Sequence, residues 1–164
     1  MEVKLIKAVE EDRYFIAEVC RETIPLYNEI SPGFFEEQAE IFEKQLPEGY
    51  DIYIINHGEE KVGFLITKKV DKDIVYIVML YLLPKYYRKG IGSTTLKSIE
   101  ESVRKDEINN IVLLADNKAH WAKSFYLKNN YNIIGESSEE VKNFKGGILG
   151  PYYIEGTILM HKEL

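Results

Sequence analysis

The residues with the clearest chemical potential lie together in the turn Arg88-Lys89-Gly90-Ile91-Gly92-Ser93. Two glycines one residue apart let a backbone come close to a ligand. If a helix begins at Ile91, its first amide N–H groups have no acceptor inside the helix. Those donors, the helix dipole and the cationic side chains of Arg88 and Lys89 all favour the negative oxygens of a phosphate. Glycine also serves ordinary tight turns, so the pair alone defines only an anion-binding candidate. The Walker loop needs Lys after its last glycine, but Ser93 follows Gly92 and no GKS or GKT occurs anywhere. The dinucleotide fingerprint needs a third glycine at position 95, which is Thr95, so a nucleotide-binding oxidoreductase fits poorly.

Other reactive side chains are sparse. Cys20 is the only cysteine; with His57, His120 or His161 it could suggest a thiol hydrolase. It falls on an apolar helical face, however, and reads as a buried structural thiol. The three His lack close ligand spacing, so no metal site is expected. Trp121 and His120 open the helix that carries Phe125 and Tyr126, where they line a ligand channel or cover the core.

The elements that must position these residues follow from hydrophobic period. Val3, Leu5 and Ala8 mark a short strand, and Glu10-Glu11-Asp12 opens a helix with Ile16, Val19, Cys20 and Thr23 on one face. Pro25 is expected to stop that helix, and Ser31-Pro32 to cap the next, whose face holds Phe35, Ala39, Phe42 and Leu46. Tyr50 to Asn56 and Lys61 to Lys69 read as strands joined by the hairpin His57-Gly58-Glu59-Glu60. After the turn Asp71-Lys72-Asp73, the apolar run Ile74 to Leu83 reads as a central buried strand. A helix from about Ile91 to Lys105 follows, with Leu96, Ile99 and Val103 inward and Lys97, Glu100, Glu101 and Arg104 outward. Ile111 to Ala115 is a buried strand, and Ala119 to Lys128 a helix closed by Asn129-Asn130. Strands near Tyr131 to Gly135 and Tyr152 to Lys162 complete the chain, and Glu136 to Pro151 is expected to be a mobile loop.

Composition bounds the class. With 164 residues and 45% hydrophobic content, the chain has material for one core and reads as a single domain over residues 1–164. A formal net charge of −6 argues against the basic face that nucleic acid would require. It would suit a cationic acceptor, although many soluble proteins are this acidic for solubility alone. The N-terminus lacks a signal-peptide run and the longest apolar stretch is too short for a membrane helix, so no membrane association and a cytoplasmic setting are expected.

The stretch Leu80-Tyr81-Leu82-Leu83-Pro84-Lys85-Tyr86-Tyr87 leading into the glycine turn resembles the strand, turn and helix signature of the GNAT superfamily of acyl-CoA N-acyltransferases. Asn117 and Phe125-Tyr126-Leu127-Lys128-Asn129-Asn130-Tyr131 are similar to its second signature, and the element order agrees along nearly the whole chain. The resemblance implies an α/β (α+β) fold with a mixed, mostly antiparallel sheet of about seven strands and about four helices packed on both faces. It further implies that acetyl-CoA is the co-substrate and that the acetyl group passes directly to an amine in a ternary complex. Backbone groups of Leu80, Tyr81 and Leu82 would hold the pantetheine arm, and Arg88, Lys89, Gly90, Ile91, Gly92 and Ser93 the pyrophosphate. Asn117 would touch the coenzyme, and Tyr126 would protonate the departing sulfur. Spacing alone favours a core aromatic at Tyr126, beside Ala122 and Phe125, and it is the family resemblance that turns the reading toward catalysis.

Three departures from the family pattern matter. Tyr87 stands where Gln or Arg is usual, which shifts the expected phosphate binding toward backbone amides. Asn130-Tyr131 replaces the usual Gly-Phe. Val78 occupies the strand position at which some members carry a carboxylate that assists amine deprotonation, leaving Glu22, Glu29 or water. The missing carboxylate motivates the alternative of a non-catalytic acyl-CoA-binding sensor. The acceptor, a small polyamine-like or amino compound or a peptide, is expected between Pro25 and Pro32, where Tyr27, Asn28 and Glu29 offer polar contacts, and along the loop Glu136 to Pro151. Family members are often dimers, so a homodimer is a further expectation.

Overall fold

A computed structural model describes residues 2–164. Its seven strands form one sheet in the order β1-β2-β3-β4-β5-β7-β6: β1 (Val3–Lys7), β2 (Asp51–His57), β3 (Glu60–Asp71), β4 (Ile74–Leu82), β5 (Asn110–Asp116), β6 (Asn132–Gly135) and β7 (Thr157–Glu163). The described residues form five α-helices: α1 (Arg13–Tyr27), α2 (Phe34–Lys44), α3 (Ile91–Lys105), α4 (His120–Lys128) and α5 (Ser138–Asn143). The fold expected from the resemblance is thus present, with one helix more.

Tight turns dictate the first half of the sheet. Gly58, at φ +63°, lies in the β2–β3 turn and takes up a left-handed conformation that a side chain would resist. β1 pairs with β2 and β2 with β3, both antiparallel. The exception comes in the middle, where β4 and β5 run parallel from Ile74↔Asn110 to Ile77↔Leu113. Parallel neighbours cannot be joined by a hairpin and need a crossover, which α3 supplies. β7 then inserts between β5 and β6, antiparallel to both.

The chain packs as two compact units. One extends to Thr67 and takes in Met79–Ile99; the other comprises Lys68–Val78 and Glu100–Leu164. In the first, α1 lies against α2 and buries Ile16, Ala17, Val19 and Cys20, while α2 buries Phe35, Ala39 and Phe42. The second has a core of Ile74, Tyr76, Val112, Val141, Leu149 and Leu159.

Several local expectations are corrected. Pro25 lies inside α1, which continues to Tyr27: the ring removes one backbone donor near the helix end without breaking it. Ser31 and Pro32 do not cap α2. They form a turn with Gly33 at φ +85°, Phe34 N donating to Ser31 O at 3.2 Å, and Gly33 is the cap. Pro then Gly at the two central positions is the sequence of a type II turn. Leu46 lies beyond the end of α2 and is half-buried. Glu100 does not face out from α3 but is buried.

The late segment differs most. Tyr152 and Tyr153 precede the last strand, which starts only at Thr157. Glu136 to Pro151 is not an irregular loop, because it contains α5 and buries Val141 and Leu149 completely. Its signal was Ser137 followed three residues later by Glu140. Ser137 Oγ accepts from Glu140 N at 3.1 Å while Glu140 Oε1 accepts from Ser137 N at 3.2 Å, a reciprocal capping box. These hydrogen bonds lower the Glu140 carboxyl from its ordinary range. Ser137→Ala should therefore cost about 1 kcal/mol of stability, measured by urea unfolding at neutral pH.

Candidate active site

In the first unit, β4 delivers the chain to the glycine turn through a short 3-10 segment, Pro84–Tyr86. Leu83 N donates to Val62 O at 2.8 Å, which fixes the end of β4 against β3, and Tyr87 N donates to Pro84 O at 3.0 Å. Arg88 then adopts φ +60° and Gly90 φ +79°, on either side of Lys89, whose φ is not positive. Two positive-φ residues within three positions bend the backbone sharply just before α3 begins. For Arg88 the left-handed conformation costs about 1–2 kcal/mol. A strained residue beside the turn is the kind of feature that accompanies binding sites.

Gly90 O accepts the first bond of α3, from Thr94 N at 3.1 Å. The amides of Ile91, Gly92 and Ser93 consequently have no acceptor within the helix. Gly90 has no side chain to cap them. Arg88 and Lys89 are exposed beside these donors. Lys89 Nζ lies 6.0 Å and Lys85 Nζ 5.3 Å from the centre of the Tyr86 ring. Tyr86 OH in turn donates to Glu60 Oε2 at 2.5 Å, and this bond raises the phenol above its ordinary value. Tyr87, which replaces the expected Gln or Arg, is half-buried; burial raises its phenol and a hydrogen bond with Thr23 partly opposes this.

The β4 residues Leu80, Tyr81 and Leu82 are half-buried and lie beyond Ile77, where the register with β5 ends. Sequence reasoning missed the residues that shape this segment. Tyr81 meets Phe35 and Tyr27 edge-on, at 5.0 and 6.3 Å between ring centres, and Phe64 at a tilt, at 6.0 Å. Tyr27, expected at the acceptor site, is therefore a neighbour of Tyr81, while Asn28 and Glu29 are exposed in the turn that follows. Gly63 of β3 is the second omission: a Cβ there would run into the Tyr81 carbonyl and crowd Leu82. A glycine inside an otherwise apolar strand is the sequence signal for such close approach.

In the second unit, Asn117 follows β5 and is exposed. Its N–H donates to Gly156 O at 2.9 Å, and its side-chain oxygen accepts from Lys123 Nζ at 3.0 Å. Tyr126 is largely buried in the last turn of α4, its ring edge-on to Phe125 at 5.0 Å and to Tyr131 at 5.7 Å. Asn130 takes φ +70° and closes α4 with two bonds, Tyr131 N to Tyr126 O and Asn130 N to Leu127 O, both 3.0 Å. This is the Schellman closure, with Asn in the place glycine most often occupies. The Asn130-Tyr131 departure thus preserves both the turn and an aromatic contact.

Cys20 is fully buried, and burial pushes its thiol up to about 12, so at neutral pH it is not a thiolate nucleophile. Among the described residues, no three His, Cys, Asp or Glu side chains come together as a metal site, and no helix is long and apolar enough to cross a membrane.

The model of the acetyltransferase (GNAT) family matches residues 15–131, most of the chain and both candidate segments. The chain belongs to this family. It is an acetyltransferase, and solved structures of acetyltransferases share its fold. The PaiA N-acetyltransferase from Thermoplasma acidophilum, in complex with coenzyme A, superposes with a TM-score of 0.77 at 22% identity over 100% of both chains. An acetyltransferase from Thermus thermophilus gives 0.75 at 11% identity, covering 100% of this chain and 98% of that one. A GNAT family acetyltransferase from Elizabethkingia anophelis with acetyl-CoA bound gives 0.60 at 17% identity, covering 99% and 97%. A search of curated protein sequences finds no match.

The acetyltransferase's Gly63 permits a direct check of the β3–β4 approach. Gly63→Ala should destabilise the protein by about 1–3 kcal/mol, because the strands must part for the new methyl group. The measurement is a lower urea midpoint with an unchanged m-value.

Proposed function

We propose that this acetyltransferase moves the acetyl group of acetyl-CoA to a primary amine by direct attack, working as one N-acetyltransferase domain over residues 1–164. The observation that carries this reading is the start of α3, where the amides of Ile91, Gly92 and Ser93 lack helical acceptors beside exposed Arg88 and Lys89. A pyrophosphate has the charge and the oxygen acceptors such a turn calls for. The end of the β4–β5 register at Ile77 supports a role for the Leu80, Tyr81 and Leu82 backbone in holding the pantetheine arm as an added strand. We assign Asn117 to coenzyme contact through its amide nitrogen, since its oxygen is engaged by Lys123.

Tyr126 is the proton donor to the leaving thiolate in this proposal. A neutral phenol supplies a proton at the moment sulfur gains charge, without placing a fixed charge near the thioester. Tyr27, Asn28 and Glu29 form the acceptor side, with Tyr27 packed beside Tyr81. β4 carries no carboxylate, so the amine proton passes to water or to exposed Glu22 or Glu29. The acceptor is a polyamine-like or amino compound or a peptide.

A thiol-release assay over polyamines, amino acids, aminoglycosides and lysine peptides tests the activity, and calorimetry tests acetyl-CoA binding. Tight coenzyme binding with no product on any acceptor would favour a regulatory acyl-CoA-binding module instead. Tyr126→Phe should lower kcat about a hundredfold with little change in acetyl-CoA affinity. Gly92→Val should weaken acetyl-CoA more than Arg88→Ala, because a branched side chain obstructs the amides whereas Arg88 adds only one charge. The reverse order would overturn the backbone account of the turn.

A further inference from the structure

The second unit contains a buried charge cluster that the proposed reaction does not use directly. Glu100 of α3 and Tyr131 are only 3% and 1% exposed. Tyr131 OH donates to Glu100 Oε2 at 2.9 Å, and Lys162 Nζ of β7 donates to Glu100 Oε1 at 2.8 Å. The same ammonium donates to Asn129 O at 3.1 Å, at the end of α4. Each Glu100 oxygen therefore has a donor, and both donors lead back to the last turn of α4. Through Lys162 the path reaches the helix-ending carbonyl. Through Tyr131 it reaches Tyr126 twice: by the backbone bond that closes the helix and by the edge-on ring contact at 5.7 Å.

Stability alone does not explain such a cluster. Desolvating a carboxylate and an ammonium costs several kcal/mol, and well-packed apolar side chains commonly do as well in the same space. What an ion pair provides that apolar packing does not is direction: each hydrogen bond fixes an angle as well as a distance. Burial, reinforced by the Glu100 charge, raises the Tyr131 phenol well above its ordinary value, against a smaller opposing effect of Arg104. Tyr131 therefore remains a donor to Glu100 throughout the range in which the protein works.

We propose that Glu100, with Lys162 and Tyr131, is a positioning group for the reaction: the cluster holds the last turn of α4 so that the Tyr126 phenol is fixed in one direction. The inference rests on the reading of Tyr126 as the proton donor. None of the three touches the reacting atoms in this account; they act through Tyr126. A misplacement of a reacting group by about 1 Å can cost about a hundredfold in rate, so loosening this turn should be visible in turnover.

The test is a double-mutant cycle on kcat and on KM for acetyl-CoA. Tyr131→Phe keeps the ring against Tyr126 and removes only the bond to Glu100; Glu100→Gln keeps the shape and removes the charge. In variants that melt cooperatively, kcat should fall about tenfold, with KM for acetyl-CoA changed by less than about threefold. In a Tyr126→Phe background the same substitutions should cause no further fall, because the group they position has been removed. If Tyr131→Phe does not fold, Glu100→Leu with Lys162→Met removes both charges together and takes its place in the cycle. An unchanged kcat in folded variants, or an equal fall in the Tyr126→Phe background, overturns the positioning role while leaving Tyr126 as the acid. A wild-type rate for Tyr126→Phe itself overturns the acid assignment, and the positioning role with it.

Discussion

A single parallel strand pair in a mainly antiparallel sheet governs much of what this molecule can do. β4 and β5 run side by side in the same direction, so the chain must travel back along the sheet between them, and α3 makes that return. A helix that starts just past the end of a strand presents its unfilled amides there. The turn proposed to bind the pyrophosphate is thus a consequence of the connection, and the glycines and cations at 88–93 give it the character that an anion would call for. Arg88 and Gly90 accept left-handed backbone conformations to make the turn, one of them at a cost in strain.

Close packing then decides what surrounds the end of β4. Gly63 lets β3 approach the Tyr81 carbonyl, and Phe35, Phe64 and Tyr27 enclose the Tyr81 ring. Rings drawn from α1, α2, β3 and β4 pack together, Tyr27 and Phe35 edge-to-face with Tyr81 and Phe64 tilted against it, an arrangement whose directional contacts resist sliding. The β4 backbone is thereby held by side chains on one hand and by the Leu83–Val62 hydrogen bond on the other.

The far end of α3 serves a different purpose. Glu100 turns inward where a solvated position was expected, and meets a tyrosine and a lysine from elements distant in sequence. Burying it is tolerable only because both oxygens are satisfied. The same helix therefore offers backbone donors at its start and a buried carboxylate near its end, with separate consequences for the turn and for α4.

The elements, and the chemistry that depends on local backbone, are legible in the residues alone. Ile91 to Lys105 is a helix in both readings, because its apolar period is continuous and glycines mark its start; the β2–β3 hairpin and the Asn130 closure are equally local. The turn at 88–93 and the segment around Tyr126 were legible as motifs for the same reason. Boundaries governed by a few residues were harder. Pro25 is tolerated in the final turn of α1, and Gly33 caps α2 in place of Ser31. The capping box at Ser137 and Glu140 was present in the sequence, but two glycine-containing turns beyond it made the segment read as a loop. The remaining features depend on contacts between residues far apart in the chain. Whether Glu100 faces water or a Lys162–Tyr131 cluster depends on partners 31 and 62 residues away, and helical period cannot distinguish a solvated carboxylate from a satisfied buried one. The neighbours of Tyr81 likewise come from three other elements, α1, α2 and β3, and their meeting is a property of packing that no single stretch of residues encodes.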